Sequence, residues 1–188
     1  MINVAIFASG EGTNAENLFK YFANDTRIKF KLIITNNSEA GVIARAERFK
    51  KNVQLVSKSA LNDYTDQLIE FLKVEKIDLI VLAGFLLKIP EAFVKAFPNR
   101  IINIHPSLLP KYGGKGMYGH HVHEAVIKSG ETESGITIHY VNEAYDEGKI
   151  ILQAKCPVTE NDTPESLSQK IRLLEFEYLP KAVESFLS

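Results

Sequence analysis

Val4-Ala5-Ile6-Phe7, followed by Gly10-Glu11-Gly12-Thr13-Asn14-Ala15, is the stretch on which the fold turns. Four unbroken apolar residues read as a strand buried on both faces, and the glycine-rich turn leads into a helical pattern over 15–23. The alternation then repeats. Residues 30–35 read as a second strand and 40–51 as a helix, with Asn36-Asn37-Ser38 offering caps. A short strand over 53–56 precedes a helix over 62–75 that sets Tyr64, Leu68, Phe71 and Leu72 on one face. Strands over 78–83 and 101–105 flank a short helix near 91–97. Strands that alternate with helices and are apolar on both faces predict an open, mostly parallel twisted sheet flanked by helices on both faces.

Past Pro106 the pattern changes. A loop rich in Gly, Pro and Lys reaches Gly119, a helix runs to about Lys128, and strands are expected over 135–141 and 150–158. Thr163-Pro164-Glu165 supplies an N-cap and a proline at the first helical position. That last helix is expected to run towards Leu179, with Pro180 kinking or interrupting it. The fold class is therefore α/β, Rossmann-like, with a late antiparallel strand. One domain over 1–188 is expected, with a first part about 1–100 and a second, catalytic part about 101–188.

Composition narrows the function classes. The 22 Lys+Arg and 23 Asp+Glu leave a formal net charge of −1, which argues against a polyanion or an anionic membrane as partner. With 45% apolar residues the chain can bury a sizeable core. Cys156 is alone, so no intrachain disulfide and no cysteine-based zinc site can form. Met1-Ile2-Asn3 lacks a basic leader, and no apolar run approaches the ~20 residues that span a bilayer, so a cytoplasmic location is expected. All five histidines lie between His105 and His139. That window is the first place to look for chemistry.

Gly10-Glu11-Gly12-Thr13-Asn14-Ala15 formally satisfies the dinucleotide pattern. Glycine lets backbone N–H groups approach an anion, and the following helix start favours negative charge. A dinucleotide also calls for an acidic residue at the end of the second strand. Ile34-Thr35-Asn36-Asn37 has none, so a smaller phosphorylated ligand fits better than NAD; a tight turn that binds nothing is the alternative.

Asn103-Ile104-His105-Pro106 is the most informative tetrapeptide. Residues two apart on a strand share a face, and Pro106 places His105 at the strand's carboxyl end, where open α/β sheets bind ligands. An amide that can hold an oxyanion beside an imidazole that can move a proton is equipment for acyl transfer. Asp146, in the turn Tyr145-Asp146-Glu147-Gly148, can reach across and raise the imidazole's pKa. Equally, Asn103 and His105 can simply satisfy a strand terminus, with Asp146 as a turn residue.

The run Asn103-Ile104-His105-Pro106-Ser107-Leu108-Leu109-Pro110-Lys111-Tyr112 resembles the signature of the 10-formyltetrahydrofolate-dependent formyltransferases. The likeness extends through Ser9 to Asn14, Val81-Leu82-Ala83-Gly84-Phe85, Gly135-Ile136-Thr137-Ile138-His139 and Asp146-Glu147-Gly148. Within that family it points to the branch that formylates glycinamide ribonucleotide in purine synthesis. The resemblance implies catalytic roles for Asn103, His105 and Asp146. It puts the ribonucleotide's phosphate and ribose on Gly12, Thr13, Asn14 and Glu175. It puts the folate on the backbone of Leu86, Leu87, Lys88 and Ile89 and of Val141, Asn142, Glu143, Ala144 and Tyr145. The implied co-substrate is 10-formyltetrahydrofolate, with no metal, no nucleic acid and no membrane, acting as a monomer or homodimer. The alternatives are a formyltetrahydrofolate deformylase or another folate formyltransferase, and, from a different class, a catalytically silent nucleotide-binding module. At this length no tRNA-binding or regulatory domain is expected.

Three departures stand out. Lys111-Tyr112-Gly113-Gly114-Lys115-Gly116-Met117-Tyr118-Gly119 is longer than the common form, and two arginines frequent in the family are missing around Ala60-Leu61-Asn62-Asp63 and Leu87-Lys88. His121 and His123 form a His-x-His pair, but positions two apart on a helix diverge, which disfavours a shared ion. His120, His121 and His123 are expected to line the loop or the nucleotide pocket, and His139 to lie near Asp146.

Overall fold

The computed structural model describes residues 1–144 and 146–187. Seven strands form one sheet in the order β3-β2-β1-β4-β5-β6-β7: β1 (Ile2–Phe7), β2 (Ile28–Thr35), β3 (Asn52–Leu55), β4 (Leu79–Leu82), β5 (Ile101–His105), β6 (Glu133–Tyr140) and β7 (Ile150–Pro157). The first five are mutually parallel, and β6 runs antiparallel to both β5 and β7. The expected architecture is thus present, with two antiparallel pairings at the late edge.

The apolar strands are explained by cover on both faces. Along β1, Val4 and Ile6 enter one core while Ala5 and Phe7 enter the other, and all four are fully buried. The first core is built with α1 (Thr13–Tyr21), α2 (Gly41–Arg48), α6 (His120–Lys128) and α7 (Pro164–Glu184). The second is built with α3 (Lys58–Asp63), α4 (Thr65–Val74) and α5 (Glu91–Ala96).

Local expectations needed three corrections. The single helix over 62–75 is two helices meeting at Tyr64; Ser57 caps the first by accepting from the Ala60 N–H at 3.1 Å. Its inward face carries Leu61, Ile69 and Leu72, whereas Tyr64 stays 60% exposed and Phe71 is also at the surface. Leu61, Ile69 and Leu72 keep helical spacing across the break, so the buried face lies further round the helix than the side carrying Tyr64 and Phe71. For α2, the N-cap is Ala40 and no side chain caps it, because Asn37 bonds the Glu39 N–H instead. The last helix continues past Pro180 to Glu184. A proline leaves the carbonyl four residues earlier without its helical partner, and here Asn17 Nδ2 of α1 donates to that Phe176 carbonyl at 2.8 Å. A tertiary bond replaces the missing local one.

No helix among the described residues is long and apolar enough to cross a membrane.

Candidate active site

The parallel strands deliver their carboxyl ends to one edge, and the connections diverge between β1 and β4. A cleft outside that divergence is where such sheets bind ligands. It holds a cavity of about 620 Å³ whose walls include the glycine loop after β1, the loop after β4, Asn103 and His105 of β5, and the inner face of α7.

Gly12 is the N-cap of α1 at φ +73°, and a Cβ there would lie 2.5 Å from Val42 Cβ. Both backbone conformation and space therefore require glycine. The loop is fastened to α2: Val42 N–H donates to the Gly10 carbonyl at 3.1 Å and Arg45 Nε to the Glu11 carbonyl at 2.6 Å, while Arg45 is also paired with Glu16. Asn14 Nδ2 donates to Glu175 Oε2 at 2.9 Å across α1 and α7, leaving the buried Asn14 Oδ1 without a partner among the described residues. Burial pushes the Glu175 carboxyl up, against the smaller opposing pull of Asn14 and Arg172.

Asn103, His105 and Asp146 converge. Asn103 Nδ2 lies 3.4 Å from Asp146 Oδ1, and His105 Nδ1 lies 3.6 Å from Asp146 Oδ2. His139 joins them: its Nε2 is 3.1 Å from Asn103 Nδ2 and 3.7 Å from Asp146 Oδ1, and its Nδ1 hydrogen-bonds the Tyr140 carbonyl at 2.9 Å. Asp146 sits at φ +55°, a left-handed conformation that aspartate tolerates, and Gly114 N–H donates to its Oδ2 at 2.9 Å. The turn is tied down by Gly148, where a Cβ would overlap the Tyr140 carbonyl oxygen at 1.6 Å.

The electrostatics correct one expectation. His105 is only 4% exposed, and burial lowers its pKa below the usual 6.5. Asp146 and the Tyr112 carbonyl pull upward as anticipated, but less strongly, so the imidazole rests neutral at pH 7. Its Nε2–H is held by the Tyr112 carbonyl at 2.8 Å. For Asp146, burial pushes up, but His139, His105 and the Gly114 N–H together outweigh it and keep the carboxylate below its ordinary range.

Other expected site residues divide. Gly12, Thr13, Asn14 and Glu175 line the cavity, as do Leu86, Leu87, Lys88, Ile89, Val141, Asn142 and Ala144. Glu143 stands outside its wall, and Tyr145 lies outside the described residues. Leu86 to Ile89 do not start a helix; the Ser9 hydroxyl accepts from the Leu86 N–H at 2.9 Å and holds that loop. Of the clustered histidines only His123 faces inward. His120 and His121 pair with Glu124 at 3.2 and 3.6 Å on the solvent side. The cavity wall does not include them; they stand at the end of the glycine-rich loop, with Tyr118 edge-on to His121 at 5.4 Å, so of the loop or pocket expected for the three, His123 has the pocket. Burial drives His123 down to about 4, with the neighbouring His120 adding to it, and its Nδ1 has no partner among the described residues. Among the described residues, no group of three or more His, Cys, Asp or Glu is placed to hold a metal ion.

Sequence reasoning overlooked Ser168, Ile171 and Arg172, which share the α7 stripe with Glu175 at helical spacing and line the cavity. Stepping back along the helix from Glu175 by three, four and seven residues finds them. It also overlooked the Tyr112 carbonyl, which no side-chain pattern can reveal.

An amide, a buried imidazole and a carboxylate converge beside a glycine loop at a helix start, the set of groups that acyl transfer calls for on an α/β scaffold. Residues 2–183 match the formyl transferase family model, and the chain belongs to that family. It is 40% identical over 176 residues to the chloroplastic phosphoribosylglycinamide formyltransferase of Arabidopsis thaliana, covering 89% of this chain and 59% of that protein. It is 33% identical over 190 residues to phosphoribosylglycinamide formyltransferase of Haemophilus influenzae, covering 99% and 87%. The crystal structure of phosphoribosylglycinamide formyltransferase from Anaplasma phagocytophilum superimposes with a TM-score of 0.90 at 35% identity, over 99% of this chain and 86% of that one. The chain spans about three fifths of the length of the plant relatives it matches.

Proposed function

We propose that this chain transfers the formyl group of 10-formyltetrahydrofolate to the primary amine of glycinamide ribonucleotide, a step of purine biosynthesis. The observation that carries the reading is the Asn103–His105–Asp146 cluster set in one cavity with the glycine loop and the Asn14–Glu175 pair. In this reading the glycine loop N–H groups and the α1 N-terminus take the phosphate, and Glu175 with Asn14 Oδ1 takes ribose hydroxyls. The pterin lies along the backbone of Leu86 to Ile89 and Val141 to Ala144.

The amine attacks the formyl carbon, a C–N bond forms, and the carbonyl electrons move onto oxygen. Asn103 Nδ2 has two protons; the 3.4 Å bond to Asp146 is the long one and the donor released to the oxyanion. Negative charge developing beside His105 offsets the burial that otherwise keeps it neutral, so Nδ1, unprotonated while Nε2–H is held by the Tyr112 carbonyl, takes up the amine's proton and passes it to the departing folate nitrogen. Asp146 holds the ring's Nδ1 side and stabilises the transient imidazolium. As the C–N bond to folate breaks, tetrahydrofolate and the formylated acceptor result, with no covalent enzyme intermediate.

The test is to supply 10-formyltetrahydrofolate with glycinamide ribonucleotide and follow both tetrahydrofolate and the formylated acceptor. Equal amounts of the two are expected. Formate without formylated acceptor would make the chain a hydrolase; no reaction of either kind would make it a binding module.

A further inference from the structure

We propose that Lys115, carried over the cavity by the glycine-rich loop, receives the substrate's phosphate dianion and so sets selectivity for a phosphorylated acceptor. The inference deepens the functional reading above and rests on it for the identity of the acceptor.

Backbone geometry places the residue. Met117 N–H bonds the Gly114 carbonyl at 3.1 Å, closing a four-residue turn with Lys115 at its second position and Gly116 at its third. Gly116 has φ +88°, as a turn with glycine at the third position requires, and Gly114 before it has φ +94°. A Cβ at either glycine would meet nothing within 4 Å, so backbone conformation rather than crowding selects them. The root of this turn is held by the Gly114 N–H bond to Asp146 and by the Tyr112 carbonyl on His105. A lysine thereby stands at the tip of a shaped loop rooted in the reacting cluster.

Charge singles it out next. Three permanently cationic side chains line the cavity: Lys88, Lys115 and Arg172. Lys115 is exposed and makes no hydrogen bond or ion pair with the described residues, whereas Lys111 at the start of the same loop is tied to Glu131 at 2.8 Å. Binding an anion through Lys115 therefore breaks no existing pair. A lysine ammonium also suits phosphate as a compact point charge with rotatable donors.

The two cores decide which anion it serves. Tyr112 and Met117 pack against the core that holds Ala15 and Leu18 of the helix after the glycine loop. Leu87, Ile89 and Val141, which flank the expected folate position, pack against the core on the opposite face of the sheet. Lys115 therefore belongs to the phosphate half of the cleft, and the carboxylates of a folate tail are the competing occupant.

The experiment measures binding of ribose 5-phosphate, ribose and glycinamide ribonucleotide to the wild type, Lys115→Gln and Lys115→Arg, with steady-state kinetics alongside. For Lys115→Gln we expect about tenfold weaker binding of both phosphorylated ligands, the loss of one charge-assisted contact of roughly 1.4 kcal/mol. The same loss should appear in KM for the ribonucleotide, with kcat changed less than twofold and KM for the folate unmoved. Lys115→Arg should restore most of the affinity, and the salt dependence of ribose 5-phosphate binding should be shallower in Lys115→Gln than in the wild type. Unchanged affinity for ribose 5-phosphate in Lys115→Gln overturns the proposal, and so does a shift confined to the folate KM. If ribose 5-phosphate binding depends on Lys115 but no formyl reaches glycinamide ribonucleotide, the lysine's role stands and the choice of acceptor falls.

Discussion

Protonation of His123 should destabilise the folded chain on the acid side of neutrality. The ring is 5% exposed, its Nδ1 has no partner among the described residues, and its pKa falls from 6.5 to about 4. The unfolded chain therefore binds this proton at higher pH than the native one, and stability is lost as pH falls through 6.5 towards 4. Linkage over that interval gives a loss of about 2 kcal/mol at pH 5 and about 3 kcal/mol at pH 4 relative to neutrality. For a chain of this size a kilocalorie corresponds to about 2–4 °C, so Tm should drop by about 4–8 °C between pH 7 and pH 5 from this group alone. His105, lowered in the same direction, adds to the wild-type loss, so the diagnostic quantity is the difference between the wild type and His123→Leu. Differential scanning calorimetry at pH 7 and pH 5 checks it, in a range where the strongly lowered Glu16 carboxyl, near 2 in the fold, contributes little. The variant should show the smaller pH dependence by the stated amount. Equal pH dependence in the two proteins would refute the reasoning.

Three further outcomes are expected. Asp146→Asn removes the leading upward influence on His105, so the limb of the kcat/KM profile governed by that imidazole should move to lower pH; an unmoved limb would dissolve the pairing. Gly148→Ala drives a Cβ into the Tyr140 carbonyl and must displace the turn that presents Asp146, so kcat should fall at least tenfold while urea unfolding stays cooperative; full activity would show the turn to be dispensable. Asn17→Ala leaves the Phe176 carbonyl without its donor beside Pro180 and should cost about 1–3 kcal/mol in chemical denaturation, whereas a neutral change would mean another group satisfies it.

Much of the fold is legible because it is written in short-range patterns. The Val4 to Phe7 run is apolar at every position because the sheet is covered on both faces, and Gly12 marks where the start of α1 lies against Val42 of α2. Asn103 and His105 share a strand face, so their convergence follows from spacing. What escaped was long-range. Pro180 stays helical because Asn17, far away in the chain, answers the orphaned carbonyl. Along α3 and α4 two apolar stripes compete, and only the packing against the sheet decides that Leu61, Ile69 and Leu72 turn inward while Tyr64 stays at the surface. Burial of His105 reverses the sign that its carboxylate neighbour alone would give, and the Tyr112 carbonyl that holds its ring belongs to the backbone, which carries no residue signature.

The central claim is that Asn103, His105 and Asp146 carry out formyl transfer, and His105→Ala tests it most directly. Measured with saturating glycinamide ribonucleotide and 10-formyltetrahydrofolate, its kcat should fall by about 10²–10⁴-fold, as removal of a general acid–base does, with ribonucleotide Kd within about twofold of the wild type. Turnover equal to the wild type would contradict the assignment.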